Sequence, residues 1–149
     1  MESNKDIEFI ELEALGKGSF GQVVRVINKK TGEHLALKVF QLSINDDQKH
    51  KEIKKIEIEI KILEKLSTIK SKNIVKYYGN WHNDKCFGIL MELGICNLQE
   101  IIDHRKIIKK LYMPNYMLFI FKEILSGYND AKTILISNRD LKPVNIVYF

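Results

Sequence analysis

The chain has 149 residues, of which 45% are hydrophobic and 29% are charged, and its formal net charge is +5 at pH 7. This length suits one ordinary domain and excludes two of normal size. The composition excludes an intrinsically disordered chain and predicts a buried core.

The distribution of charge, cysteine and apolar residues restricts the protein class further. The lysines are spread along the chain without a dense block, which favours a solvated basic surface over a nucleic-acid site. Cys86 and Cys96 fit neither a disulfide framework nor a metal site. There is no secretory signal and no apolar run of about 18 residues. We therefore expect a soluble, intracellular, cytoplasmic protein with no membrane span and no nucleic-acid partner.

A glycine-rich segment, Gly16-Lys17-Gly18-Ser19-Phe20-Gly21, is the first sign of chemistry. Glycines let backbone N–H groups approach anionic oxygens closely. The G-x-G-x-x-G pattern alone fits a dinucleotide fingerprint, a kinase-type loop or a flexible turn. A β-branched run at 23–27 follows it, and no acidic residue stands about 20 positions further on. The loop is therefore predicted to join two strands, as in a hairpin folded over a nucleotide.

Five strands are predicted, at 9–15, 22–28, 34–40, 73–82 and 86–93. Gly32 is predicted to support a turn after the second strand. In the third strand, alternation places Leu35, Leu37 and Val39 on one face and Ala36 and Lys38 on the other. Lys38 stands beside a small alanine, which is the setting expected of a lysine that reaches into a nucleotide cleft.

One long helix is predicted at 51–66, preceded by Asn45-Asp46-Asp47 as a possible cap. Its isoleucines fit both helical and strand periods, and the length and the Lys and Glu content favour the helix. Glu59 falls inside the apolar arc of the helical wheel and Glu52 lies near it. A carboxylate in that arc needs a cationic partner, and the wheel alone does not choose between the two.

The last third of the chain is predicted to be mainly helical. Asn97 is placed to cap a helix at 98–103, and Pro114 to begin another that ends near Gly127. The second of these helices has a wide apolar stripe that predicts a core-packed helix: Met117, Leu118, Ile120, Phe121, Ile124 and Leu125.

Six motifs together resemble the protein kinase family, in its order and at its spacing. They are Leu15-Gly16-Lys17-Gly18-Ser19-Phe20-Gly21-Gln22-Val23, Leu35-Ala36-Leu37-Lys38, Glu59-Ile60-Lys61-Ile62-Leu63, Asn73-Ile74-Val75, Met91-Glu92-Leu93 and Arg139-Asp140-Leu141-Lys142-Pro143-Val144-Asn145. The resemblance covers nearly the whole chain.

The resemblance implies ATP and Mg²⁺ as cofactors and assigns a role to each matching residue. Lys38 would pair the α- and β-phosphates and be held by Glu59, in preference to Glu52. Asp140 would accept the proton of the attacking hydroxyl, Lys142 would steady the transferred phosphoryl group and Asn145 would hold a magnesium ion. The glycine-rich loop (Gly16, Lys17, Gly18, Ser19, Phe20 and Gly21) would cover the phosphates. The remaining nucleotide contacts would come from Leu15, Val23, Ala36, Met91, Glu92 and Gly94.

The implied fold is α+β and protein-kinase-like: a five-stranded antiparallel sheet with one long helix, followed by a truncated, mainly helical lobe. The domains are placed at 1–93 and 94–149. Lys142 favours a serine/threonine kinase with protein substrates.

The sequence departs from the family pattern in two places. Asn138 stands where the family usually has histidine, and no Asp-Phe-Gly occurs before the chain stops at Phe149. We therefore expect the 149 residues alone to have negligible kinase activity. The apolar stripe of the last helix is expected to be partly uncovered, with poor solubility or dependence on a partner protein. The alternatives are a non-catalytic truncated pseudokinase that binds nucleotide or a partner, and a decayed remnant.

Overall fold

The computed structural model describes residues 8–18, 21–136 and 140–149. The chain divides into two compact units, one comprising Met1–Ser67 and Val75–Leu93 and the other Thr68–Ile74 and Gly94–Phe149. Among the described residues, no helix is long and apolar enough to cross a membrane.

The first unit is an antiparallel sheet with one long helix. Its strands are β1 (Phe9–Gly18), β2 (Gly21–Asn28), β3 (His34–Gln41), β4 (Tyr77–His82) and β5 (Cys86–Glu92). They lie in the order β1-β2-β3-β5-β4, and the helix α1 (Asp46–Leu66) lies between β3 and β4 in the chain. The predicted α+β architecture, with five strands and one long helix, is confirmed.

Turn chemistry explains the connections. Gly32 has a φ of 72° in the β2–β3 turn, where the Asn28 side chain accepts hydrogen bonds from the backbone of Lys30 and Thr31. The Asn45 side chain accepts from the Gln48 backbone and caps α1, which begins five residues earlier than predicted. Asn83 closes the β4–β5 turn by accepting from Lys85 and Cys86.

The helical period of α1 is confirmed by which isoleucines are buried. Ile56 and Ile60 are buried with Leu63 against Phe40, Phe87 and Ile89 of the sheet, whereas Ile58 is 58% exposed. The other side of the sheet carries a second apolar cluster of Val24, Val26, Leu35 and Leu90, joined by Leu37 and Val39. The alternation predicted for β3 is therefore confirmed.

The fourth strand begins at Tyr77, so the predicted start at residue 73 was wrong. Residues 73 and 74 belong to the second unit. There the Ser71 hydroxyl donates to Asp130 and accepts from the Asn73 backbone, and Lys72 forms a salt bridge with Glu123. These side-chain contacts, two of them with the helix Pro114–Thr133, hold residues 71–73 in place of a strand ladder.

Within its described residues, the second unit contains two α-helices, a short 3₁₀ turn and a short ribbon. The helices are α2 (Leu98–Ile107) and α3 (Pro114–Thr133), and β6 (Cys96–Asn97) pairs with β7 (Val147–Tyr148). Asn97 and Glu100 form a reciprocal capping box at the start of α2, as the sequence pattern of Asn97 suggested. Both helices end later than predicted.

The predicted end of α3 near Gly127 was wrong because this glycine serves packing instead of capping. Gly127 is buried in the helix, and a Cβ there would lie 2.7 Å from the Asn73 carbonyl oxygen. The prediction of a core-packed stripe was wrong for Met117, Leu118, Phe121 and Leu125, which are between 44% and 59% exposed, whereas the expectation that the stripe is partly uncovered is confirmed.

Truncating Ile60 tests the packing of α1. Ile60→Ala removes a side chain with no exposed surface and should lower the free energy of unfolding by about 2–5 kcal/mol. Ile58→Ala, the same change two residues away, should change it by less than about 0.5 kcal/mol. Urea unfolding followed by circular dichroism measures both, and equal losses would contradict the helical packing described.

Candidate functional site

The glycine-rich segment forms the turn of the β1–β2 hairpin. Gly18 pairs with Gly21, Lys17 with Gln22 and Gly16 with Val23. Ser19 and Phe20, which the resemblance places over the phosphates, lie outside the described residues. The prediction that this loop joins two strands is confirmed.

Two glycines of the hairpin differ in what they require. Gly21 has a φ of 152°, and a Cβ there would overlap the Val39 carbonyl, so the fold itself demands a glycine. At Gly16 a Cβ would meet no atom of the described residues within 4 Å. Packing within that part of the chain therefore gives no reason for glycine at position 16, whereas close approach of a ligand to the backbone would.

Lys38 lies on β3, the strand next to this hairpin. It pairs with Val23 on one side and Ile89 on the other, so that Gly16, Val23 and Lys38 occupy one row across β1, β2 and β3. Its ammonium group is 2.6 Å from Oε1 of Glu59 on α1, and the two side chains are 28% and 37% exposed. The helix thus presents its carboxylate to the strand lysine, as the resemblance implies.

Phe40 contributes a contact that the sequence analysis missed. The Lys38 Nζ atom lies 4.8 Å from the centre of the Phe40 ring, which is itself buried in the core beneath α1. The signal was available, because Phe40 is two residues further along β3 and therefore on the same face as Lys38. The ring and the carboxylate together restrict where the ammonium group can lie.

Glu52 is excluded as the partner of Lys38 by its own contacts. Its carboxylate accepts from the backbone and hydroxyl of Ser43, at 2.9 and 2.7 Å, and from Gln48. The backbone hydrogen bond from Ser43 is the main reason that the pKa of Glu52 is lowered. Glu52 braces the β3–α1 connection, so the ambiguity between the two glutamates is resolved in favour of Glu59.

Val23, Ala36 and Met91, which the resemblance assigns to the adenine region, share the face of the sheet that carries Lys38. Ala36 is buried and pairs with Met91 across β3 and β5, and Val23 is half-buried. Leu15 is 41% exposed beside an irregularity in the β1–β2 register. Small or aliphatic side chains on one sheet face suit a flat apolar ring.

The two remaining residues predicted to contact the nucleotide, Glu92 and Gly94, both make contacts with other residues of the chain. The Glu92 backbone N–H donates to the Lys76 carbonyl, and its carboxylate forms a 3.0 Å salt bridge with Lys76. This ion pair is the main reason that the pKa of Lys76 is raised. At Gly94, a Cβ would overlap the Val147 side chain, so packing within the second unit accounts for that glycine.

The second unit brings together Asp140, Lys142 and Asn145. Oδ2 of Asp140 lies 2.9 Å from Lys142 Nζ and accepts a 2.9 Å hydrogen bond from the Asn145 amide. The same amide nitrogen donates to the Asp140 carbonyl, which closes the loop over a 3₁₀ turn at Pro143–Asn145. Asn138 and Arg139, which precede this loop, lie outside the described residues.

The Asn145 side chain has an atom suited to a metal ion. Both hydrogen bonds of the Asn145 side chain come from its nitrogen, so the amide oxygen accepts none within the described part of the chain. Amide oxygens are ligands for Mg²⁺, which usually keeps water and substrate phosphates as its other ligands. Within residues 8–18, 21–136 and 140–149, no three His, Cys, Asp or Glu side chains gather into a metal cluster. Asn145 therefore fits as one ligand among several.

The hydrogen bond from Lys142, followed by that from Asn145, lowers the pKa of Asp140. The carboxyl should therefore titrate below its usual value of 3.8 and be ionised at neutral pH. Lys142→Ala should move the midpoint back up towards that value, and ¹³C NMR of the side-chain carboxyl measures both. A midpoint at or above the usual value in the unmodified chain would contradict this geometry. The control is Lys106→Ala, which removes a lysine paired with Asp103 and should leave the titration midpoint of Asp140 unchanged.

Comparison with known proteins places these features in a family. The sequence model described as "Protein kinase domain" matches residues 9–149. "Calcium-dependent protein kinase 5" of Plasmodium berghei is 36% identical over 98% of this chain and 25% of its own length. "Serine/threonine-protein kinase 4 homolog B" of Dictyostelium discoideum is 34% identical over 95% of this chain and 12% of its own length.

The chain spans a quarter or less of the length of these two curated relatives. The family match nevertheless extends over nearly every residue, from β1 to β7. It includes the glycine hairpin, the strand lysine with its helix glutamate, and the Asp140 loop. The chain therefore belongs to the protein kinase domain family, whose members catalyse phosphoryl transfer.

Proposed function

We propose that these residues bind ATP with Mg²⁺ and belong to a kinase domain that phosphorylates serine or threonine hydroxyls of proteins. The observation that carries the proposal is the 2.6 Å ion pair between Lys38 and Glu59. Lys38 lies in one row of the sheet with Val23 and with Gly16 of the glycine hairpin. A half-buried ammonium group beside a glycine turn suits the phosphates of a nucleotide.

Each residue contributes positioning or charge. Glu59 holds Lys38 so that its remaining ammonium protons can donate to phosphate oxygens. Among the described residues no atom lies near the Cβ position of Gly16, which would leave the hairpin backbone accessible to the phosphates. Val23, Ala36 and Met91 would line the adenine site. Mg²⁺, when bound, neutralises charge on the phosphates, and Asn145 would supply one of its ligands.

The Asp140 loop supports the transfer step. A carboxylate whose pKa is lowered is ionised at neutral pH and can accept a hydrogen bond from an attacking hydroxyl, orienting it and taking its proton late in the transfer. Lys142, 2.9 Å from that carboxylate, would steady the transferred phosphoryl group with its positive charge, the role that the family resemblance gives it. A lysine two residues after the aspartate, together with relatives named serine/threonine-protein kinases, supports hydroxyl substrates of that type.

Nucleotide binding is tested by replacing Lys38. In isothermal titration calorimetry with Mg²⁺ and ATP, Lys38→Met should weaken binding about tenfold or more, because a charge-assisted contact is lost. The control is Lys29→Met, which breaks the exposed 3.1 Å salt bridge with Glu8 in the same unit and should leave the affinity unchanged. Equal affinity in all three proteins would contradict the assignment. Gly16→Ala should leave the melting temperature unchanged and weaken ATP binding, because the added methyl group would meet a bound ligand but no atom of the described residues.

For the 149 residues by themselves, we expect ATP binding without measurable phosphoryl transfer. The sequence contains no Asp-Phe-Gly, whose aspartate holds Mg²⁺ in the family, and charge stabilisation by the metal is a principal part of the reaction. The assay is transfer of radiolabelled γ-phosphate to myelin basic protein. Magnesium-dependent transfer that disappears in Asp140→Asn would contradict this expectation, whereas transfer retained by that variant indicates a contaminating kinase.

A further inference from the structure

The outer side of α1, opposite its buried face, combines exposed lysines with exposed isoleucines. On a wheel of about 100° per residue, seven side chains fall within one arc of about 120°. We call this the basic face: Lys51, Lys54, Lys55, Ile58, Lys61, Ile62 and Lys65. All seven side chains are exposed, with Ile58 at 58% and Ile62 at 39%.

The basic face has little compensating negative charge. From Lys51 to the end of α1 the arc contains no acidic residue, and Asp47 in the first turn is the acidic residue nearest its axis. Lys51, Lys54 and Lys61 form no salt bridge with any described residue of the chain. Glu57 and Glu59 lie just outside the two edges of the arc, and Glu59 is already held by Lys38. Glu52, further from the arc, is held by Ser43.

The two exposed isoleucines, Ile58 and Ile62, distinguish the basic face from a helix surface that is merely solvated. Residues 58 and 62 are one helical turn apart, about 6 Å along the axis, and lie at the centre of the lysines. Helix propensity alone favours lysine, glutamate or alanine over isoleucine at exposed positions. An apolar pair surrounded by one sign of charge is typical of an interface with an apolar centre and a charged rim.

We propose that the basic face of α1 binds an acidic segment of a partner protein that presents two apolar side chains about 6 Å apart, the spacing of positions i and i+4 in a helix. Charge complementarity selects the acidic segment and the isoleucine pair fixes its register. The face offers a membrane only two aliphatic side chains and no aromatic one, which is little for insertion. It has neither the arginine nor the aromatic residues that nucleic-acid surfaces use. This inference does not depend on ATP binding.

The probe is a fluorescein-labelled, glutamate-rich helical peptide with two leucines four residues apart, followed by fluorescence anisotropy with the whole chain. Binding should weaken as salt is raised, because exposed charges are screened. The matched peptide, with both leucines replaced by alanine, should bind about tenfold more weakly. Equal binding of the two peptides, or no binding of the leucine peptide, would overturn the proposal.

Matched variants locate the binding surface. Lys54→Glu with Lys61→Glu should weaken binding of the leucine peptide about tenfold or more. Lys110→Glu with Lys122→Glu changes the net charge equally in the second unit and should have much less effect. Ile58→Ser should remove the preference for leucine over alanine while leaving the melting temperature unchanged. Equal losses in both charge variants would overturn the proposal in favour of nonspecific attraction.

Two further probes test the other macromolecule classes. The probes are vesicles of phosphatidylcholine with phosphatidylserine, and a DNA duplex. Each probe should bind the basic-face variant, Lys54→Glu with Lys61→Glu, as strongly as it binds the control variant, Lys110→Glu with Lys122→Glu. A loss confined to the basic-face variant, with the leucine peptide unaffected, would overturn the proposal and assign this surface to lipid or nucleic acid.

Discussion

The ion pair between Lys38 and Glu59 is the interaction on which the first unit's chemistry depends. It joins the central strand to the long helix at 2.6 Å, and both side chains are only partly exposed. The apolar packing of Ile56, Ile60 and Leu63 sets the rotation of α1 and so determines which glutamate faces the sheet. The core packing of α1 therefore determines the position of the charged group, because a helix rotated by one residue would present a different side chain to Lys38.

In the second unit, three polar side chains of a short loop are held together by contacts with one another. Asp140, Lys142 and Asn145 lie within six residues and satisfy one another through hydrogen bonds of 2.9 Å. The loop is followed by β7, whose pairing with β6 anchors it, and Gly94 makes room for Val147 beside that ribbon. Backbone packing thus fixes the frame, and the side chains supply the charge.

Much of this arrangement could be predicted from the sequence because it follows local rules. Asn45 and Asn97 cap helices as predicted, and the hairpin at Gly16 to Gly21 follows from the β-branched run after it. The failures involve contacts distant in sequence. Gly127 looked like a helix end, yet Asn73, more than fifty residues away, requires a glycine there. The helical wheel alone left Glu52 and Glu59 open, because the choice depends on Ser43 and Lys38, and only the family resemblance favoured Glu59, the residue that contacts Lys38.

The central claim is that Lys38 lies where the phosphates of ATP bind, and labelling with an acyl-phosphate derivative of ATP tests it most directly. Such a probe transfers its acyl group to a lysine amine next to the bound phosphates, and peptide mass spectrometry identifies the modified residue. We predict acylation of Lys38 that excess ATP suppresses and that Glu59→Gln reduces, because the glutamate positions the amine. Acylation spread over the exposed lysines and insensitive to ATP would contradict the account.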